Sequence, residues 1–211
     1  MTLTKTLIAS AVALCAMQAQ AFTWSISGGA YSTRSGAQHE TFDNLATDAQ
    51  EAVDLSRAGG ALFDASADGI TARPPGSIGN FLSVGTSGGQ GGPVIVDLMA
   101  TPASYYGFLW GSPDGYNQVD FYDDKSLLKS LSGSDVFSNP NPANGFQGAF
   151  GNGQYFNAFA GQGESITRVV FRSTGNAFET DNHALMAVPE PGSYALLLAG
   201  LGALGLITRR R

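Results

Sequence analysis

Between residues 22 and 187, short apolar or alternating runs are cut every few positions by clusters of Gly, Asn, Asp, Ser and Pro. Runs of four to nine residues bounded in this way suit strands, because alternate side chains can enter a core while the punctuating residues turn the chain. The spacing predicts nine strands, at 22–27, 80–84, 94–98, 105–110, 118–122, 126–131, 154–159, 166–172 and 177–185. The sequences Ser112-Pro113-Asp114-Gly115 and Ser173-Thr174-Gly175-Asn176 have turn chemistry and are expected to close antiparallel hairpins. Nine strands at this spacing predict a mainly β domain, an antiparallel β-sandwich of jelly-roll type. Residues 47–58 are the one helical candidate, with a loop as the alternative. Two loops, 71–78 with Pro74-Pro75 and 85–93 with five glycines, are expected at the ends or edges of the sandwich.

Both ends of the chain need a different solvent. At the N-terminus, Lys5 precedes an apolar stretch from 7 to 17, followed by Ala19-Gln20-Ala21, a small-x-small cleavage site. Residues 1–21 thus read as a secretory signal peptide, cut after Ala21. The one cysteine, Cys15, lies inside it, so the exported chain has no disulfide. At the C-terminus, Val188-Pro189-Glu190-Pro191-Gly192 leads into an uncharged run and three arginines, Arg209 to Arg211. Residues 191–208 would rise about 27 Å as a helix, enough for a thin bilayer. Arginines stay on the cytoplasmic side, so Pro189, Glu190 and Pro191 would lie outside the membrane.

Signal peptide, Gly-rich acidic middle, Val-Pro-Glu-Pro-Gly, apolar helix and terminal arginines together resemble the PEP-CTERM proteins, the exosortase substrates of Gram-negative bacteria. The resemblance covers 188–211 and divides the chain into a signal peptide (1–21), an extracellular β domain (22–187) and a sorting signal with a transmembrane helix (188–211). It implies signal peptidase and the secretion machinery as partners, then an inner-membrane intermediate handed to an exosortase. It also implies delivery to the cell surface or the exopolysaccharide matrix. Pro189, Glu190 and Pro191 would be the residues the exosortase reads, since two prolines hold the extended backbone a protease needs.

The β domain carries 16 acidic and 7 basic residues, a net charge of −9, which repels phosphate backbones and excludes a nucleic-acid role. Only His39 and His183 could serve as histidine bases, and no Gly-x-Ser-x-Gly precedes a helix, so no nucleophile is evident. The Gly-rich TSGGQGGP lacks the Lys and helix of a phosphate loop. No catalytic residue is assigned, and a non-enzymatic surface protein that binds exopolysaccharide is the expectation. The alternative is a secreted polysaccharide hydrolase using a carboxylate pair drawn from Asp120, Asp123, Asp124, Glu164, Glu179 and Asp181.

Two further sites are expected. HETFDN and NAFETDNHAL could converge if their strands are neighbours, making Glu40, Asp43, Glu179 and Asp181 an oxygen-ligand set for Ca2+. Their alternative role is to cap backbone groups at strand ends. NAFETDNHAL also resembles the final strand of secreted β-sandwich modules that bind carbohydrate. The aromatic stretch 105–122 reads mostly as core, with Tyr106, Phe108 and Trp110 on one strand face. Tyr116, in the turn, is the aromatic free to stack on a sugar.

Overall fold

A computed structural model describes residues 21–43, 56–87, 91–136, 154–188 and 199–201. Residues 1–20, which include Ala19 and all of the signal peptide but Ala21, residues 47–55, and Pro189, Glu190 and Pro191 lie outside the described residues. The strands are β1 (Thr23–Gly28), β2 (Gln38–Glu40), β3 (Ser56–Ala58), β4 (Ala61–Phe63), β5 (Phe81–Val84) and β6 (Val94–Asp97). They continue with β7 (Ala103–Trp110), β8 (Asn117–Asp123), β9 (Ser126–Ser132), β10 (Gln154–Phe159), β11 (Arg168–Ser173) and β12 (Phe178–Ala187), with a single helical turn, α1, at Gly133–Val136.

All nine expected runs are strands, and the chain is mainly β with antiparallel pairing. Three short strands, β2, β3 and β4, add to them. Residues 56–58, the end of the expected helix, instead pair with β6 as β3.

The strands form a seven-stranded sheet, β1-β10-β7-β12-β5-β4 with β2 also on β12, and a five-stranded sheet, β3-β6-β11-β8-β9. Their facing sides make one core. Phe108 of the larger sheet meets Phe171 of the smaller at 5.1 Å between ring centroids, and Phe121 stacks on Phe156 at 5.8 Å. Strand alternation explains which residues enter: β6 buries Val94 and Val96 and exposes Ile95 and Asp97. On β7 both faces are buried. Tyr106, Phe108 and Trp110 enter the core, while Tyr105 and Leu109 pack with Tyr155 beneath residues 30–37. Gly107 must lack a side chain, because a Cβ there would lie 2.6 Å from the Tyr155 ring.

The two turn sequences do not make hairpins. Residues 111–116 join β7 of the larger sheet to β8 of the smaller, and 174–177 join β11 to β12 in the reverse direction. Both are arches across the end of the sandwich. The tight hairpin is β8–β9, where Asp124 takes a left-handed φ of 49° between the paired Asp123 and Ser126.

A bulge in β12 redirects its second half. Register shifts between Asp181 and Ala184, and Asn182 has a φ of 49°. Simple alternation from Phe178 would send Asn182 and Ala184 inward. The extra residue instead places His183 and Leu185 between the sheets. There Tyr106 Oη lies 2.6 Å from His183 Nδ1, and Thr180 Oγ1 lies 2.9 Å from its Nε2.

Candidate functional site

The two arches and the loop at 64–79 enclose a cleft of about 430 Å³. Its polar wall contains Asp68, Thr71, Ser112, Asp114, Asn176 and Glu179, and among the described residues no Lys, Arg or His lines it.

Asn117 fastens the arches together. Its Nδ2 donates to Ser112 O at 2.8 Å and Ala177 O at 3.0 Å, while Ser173 Oγ donates to its Oδ1 at 2.7 Å. Asn176 fastens the surrounding loops. Its Oδ1 accepts from the Thr86 amide at 2.8 Å and the Ser87 amide at 3.2 Å, and its Nδ2 donates to Gly69 O at 3.1 Å. The rim is therefore held by side chains whose hydrogen bonds are internal.

Glu179 leaves β12 on the side away from the core and is 2% exposed. Its Oε1 accepts from the Ala72 amide at 2.8 Å and from Thr71 Oγ1 at 3.4 Å. Its Oε2 makes no hydrogen bond of normal geometry among the described residues, although the Ser112 amide is close enough to favour the charged form. Burial pushes this carboxyl up to about 7, and the neighbouring Asp114 adds to the rise. Asp114 is itself pushed upward by burial, against a lowering hydrogen bond from Tyr116. Two carboxyl groups thus share one wall with no basic residue lining it. Carboxylates in arches gave no periodic sequence signal; the available cue was Asp114 in a turn motif and Glu179 in a strand otherwise destined for burial.

Tyr116 is half-buried. Its hydroxyl lies 2.9 Å from Asp114 Oδ2 and 2.9 Å from Asn176 O, and its ring lies flat against Gly175, where a Cβ would come within 3.0 Å. It braces the arches.

The structure brings HETFDN beside NAFETDNHAL, with Glu40 opposite His183 in register. Their carboxylates nevertheless separate into local roles. Glu40 Oε1 accepts from the Phe42 amide at 2.6 Å, Asp43 Oδ1 from the Asn80 amide at 2.6 Å, and Asp181 Oδ1 from the Asn182 amide at 2.6 Å. Glu179 belongs to the cleft. Among the described residues no group of three or more His, Cys, Asp and Glu is placed to hold a metal. Three of the other candidate carboxylates also have local partners, while Asp124 sits in the β8–β9 turn with its amide donating to Thr167 Oγ1 at 2.6 Å. Asp120 pairs with Arg172 at 3.1 Å, Asp123 accepts from Ser165 Oγ at 3.0 Å, and Glu164 accepts from the Gly161 amide at 2.8 Å. His39 lies on β2 and His183 is fully buried, and neither lines the cleft.

β12 runs through the middle of the larger sheet to its last paired residue, Ala187 opposite Ala103, and the Val188 amide then donates to Pro102 O at 2.8 Å. Residues 187–211 match the family model of the PEP-CTERM protein-sorting motif. The chain carries a PEP-CTERM sorting signal. Neither the curated proteins nor the solved structures give a match. A PEP-CTERM signal marks an exported protein processed at the membrane by an exosortase and sent to the cell surface. Here the signal begins at the final residue of a central strand, so the folded domain reaches it without a spacer. Residues 199–201 are helical, and among the described residues no helix is long and apolar enough to cross a membrane.

Proposed function

We propose that this is a non-enzymatic surface or matrix protein whose β domain binds exopolysaccharide after exosortase processing. The observation that carries the first half is the sorting signal joined directly to β12. The second half is supported by compartment and by the cleft, whose hydroxyl, amide and carboxyl groups suit the hydroxyls of a sugar. With no base on its wall, the cleft favours polymer units without negative charge. From β5 to β12 successive strands alternate between the sheets except for the β8–β9 hairpin, and the resulting orders β10-β7-β12-β5 and β6-β11-β8-β9 are the connectivity we read as a jelly roll. Retention of the purified full chain on extracted matrix polysaccharide tests the binding half; passage of the protein unretarded overturns it.

A second reading, a polysaccharide hydrolase, draws support from Asp114 and Glu179 sharing one wall. Release of reducing ends from the same polysaccharide, abolished in Glu179→Gln, would establish it in place of simple binding.

A further inference from the structure

We propose that the cleft between the arches is a subsite for an amine-bearing sugar unit, with Glu179 as the counter-charge to the ammonium group and Asp114 as its neighbour. The inference rests on the polysaccharide reading above and names the unit recognised.

Three observations support it. Glu179 is almost fully buried, one oxygen is committed to Ala72 and Thr71, and the other has only the nearby Ser112 amide, with no hydrogen bond of normal geometry among the described residues. A buried acceptor left in this state is destabilising, so a donor that reaches it is favoured there. Second, Asp68, Asp114 and Glu179 line a cleft with no cationic side chain among its described lining residues, so the repulsion between Asp114 and Glu179 is uncompensated there. A neutral hydroxyl would satisfy the hydrogen bond and leave the repulsion; an ammonium relieves both. Third, among the described residues the carboxylates are not grouped as a metal site, whereas an ammonium needs only three acceptors, which hydroxyls and carbonyls can help supply. The volume of about 430 Å³ falls within the roughly 300–1,000 Å³ of small-ligand sites. Burial, with Asp114 adding to it, raises the proton affinity of Glu179, and an ammonium beside it would favour the charged form.

The full chain in non-ionic detergent is titrated at pH 7 with a glucosamine tetrasaccharide, its N-acetylated form and a glucose tetrasaccharide. The amine-bearing tetramer is expected to bind, the other two to bind at least about tenfold more weakly, and Glu179→Gln to lose about tenfold for the amine-bearing tetramer alone. The glutamine keeps an oxygen for the Ala72 amide, so the fold should persist. If its near-ultraviolet spectrum collapses, Asp114→Asn serves as the second variant and must also weaken amine binding. Equal binding of the three sugars, no binding of the amine, or affinity unchanged by the substitutions overturns the subsite. Retention on matrix polysaccharide, measured in parallel, separates the two ideas. Wild type and Glu179→Gln retained alike would remove the subsite and keep the matrix reading. Tetramer binding without retention would remove the matrix reading and keep an amine site.

Discussion

The Tyr116 hydroxyl stands 2.9 Å from Asp114 Oδ2 and has one proton to give, although Asn176 O lies at the same distance. A protonated Asp114 would resolve the conflict by donating to Tyr116, which then donates to Asn176. Burial already moves Asp114 in that direction, while the tyrosine's hydrogen bond opposes it. Tyr116→Phe should therefore raise the Asp114 pKa further and cost about 1 kcal/mol of stability. Carbon-13 titration of the Asp114 carboxyl reads this directly, and a pKa that falls in the variant would contradict it.

The domain should lose stability as pH rises toward neutrality. Burial lifts Glu179 from 4.5 to about 7 and Asp181 from 3.8 to about 7. Between those limits the folded state holds protons that the unfolded chain has released. Each group's contribution is therefore complete below its unfolded pKa and disappears as pH rises through about 7, a loss on the order of 3–4 kcal/mol per group. Melting temperature should be higher at pH 5 than at pH 8, and Glu179→Gln should flatten that difference. A steeper profile in the variant would be the wrong sign.

Asn117 is fully buried and joins both arches. Asn117→Ala strands two carbonyls and a serine hydroxyl, so it should cost about 2–3 kcal/mol and speed amide exchange in residues 111–116 and 174–177 before the rest of the sheets. Uniform exchange across the domain would deny the arches their shared fastening.

Phe108→Ala empties the meeting point of both sheets and should cost about 4 kcal/mol. Leu127, 54% exposed on the edge strand β9, should tolerate Ala with less than about 0.5 kcal/mol lost. Chemical denaturation compares the two, and similar losses would misplace the core.

The strands were legible because alternation and turn residues are local signals: β6 reads in, out, in, out from Val94 to Asp97. What a turn connects is not local. Ser112-Pro113-Asp114-Gly115 has hairpin chemistry, yet β7 and β8 are fully occupied by other partners and the turn becomes an arch. The phase change at Asn182 was hidden for a related reason, since a bulge leaves composition unaltered while reversing which of Asn182 and His183 enters the core. Glu179 was visible as a carboxylate, but its partner Asp114 was not, because the two meet only after both arches close over one end. The sorting signal was readable in full, its order of motif, apolar run and arginines being linear along the chain.

The most direct measurement is the mature C-terminus of the exported protein, determined by mass spectrometry from cells with and without exosortase. Wild-type surface protein should end upstream of Arg209-Arg210-Arg211 when exosortase is present. Replacing Pro189-Glu190-Pro191 by three alanines should leave the full tail on a membrane-bound chain, as should removing exosortase. Surface protein that keeps its arginines in exosortase-positive cells, or a triple-alanine variant that matures at the wild-type rate, would contradict sorting through this signal.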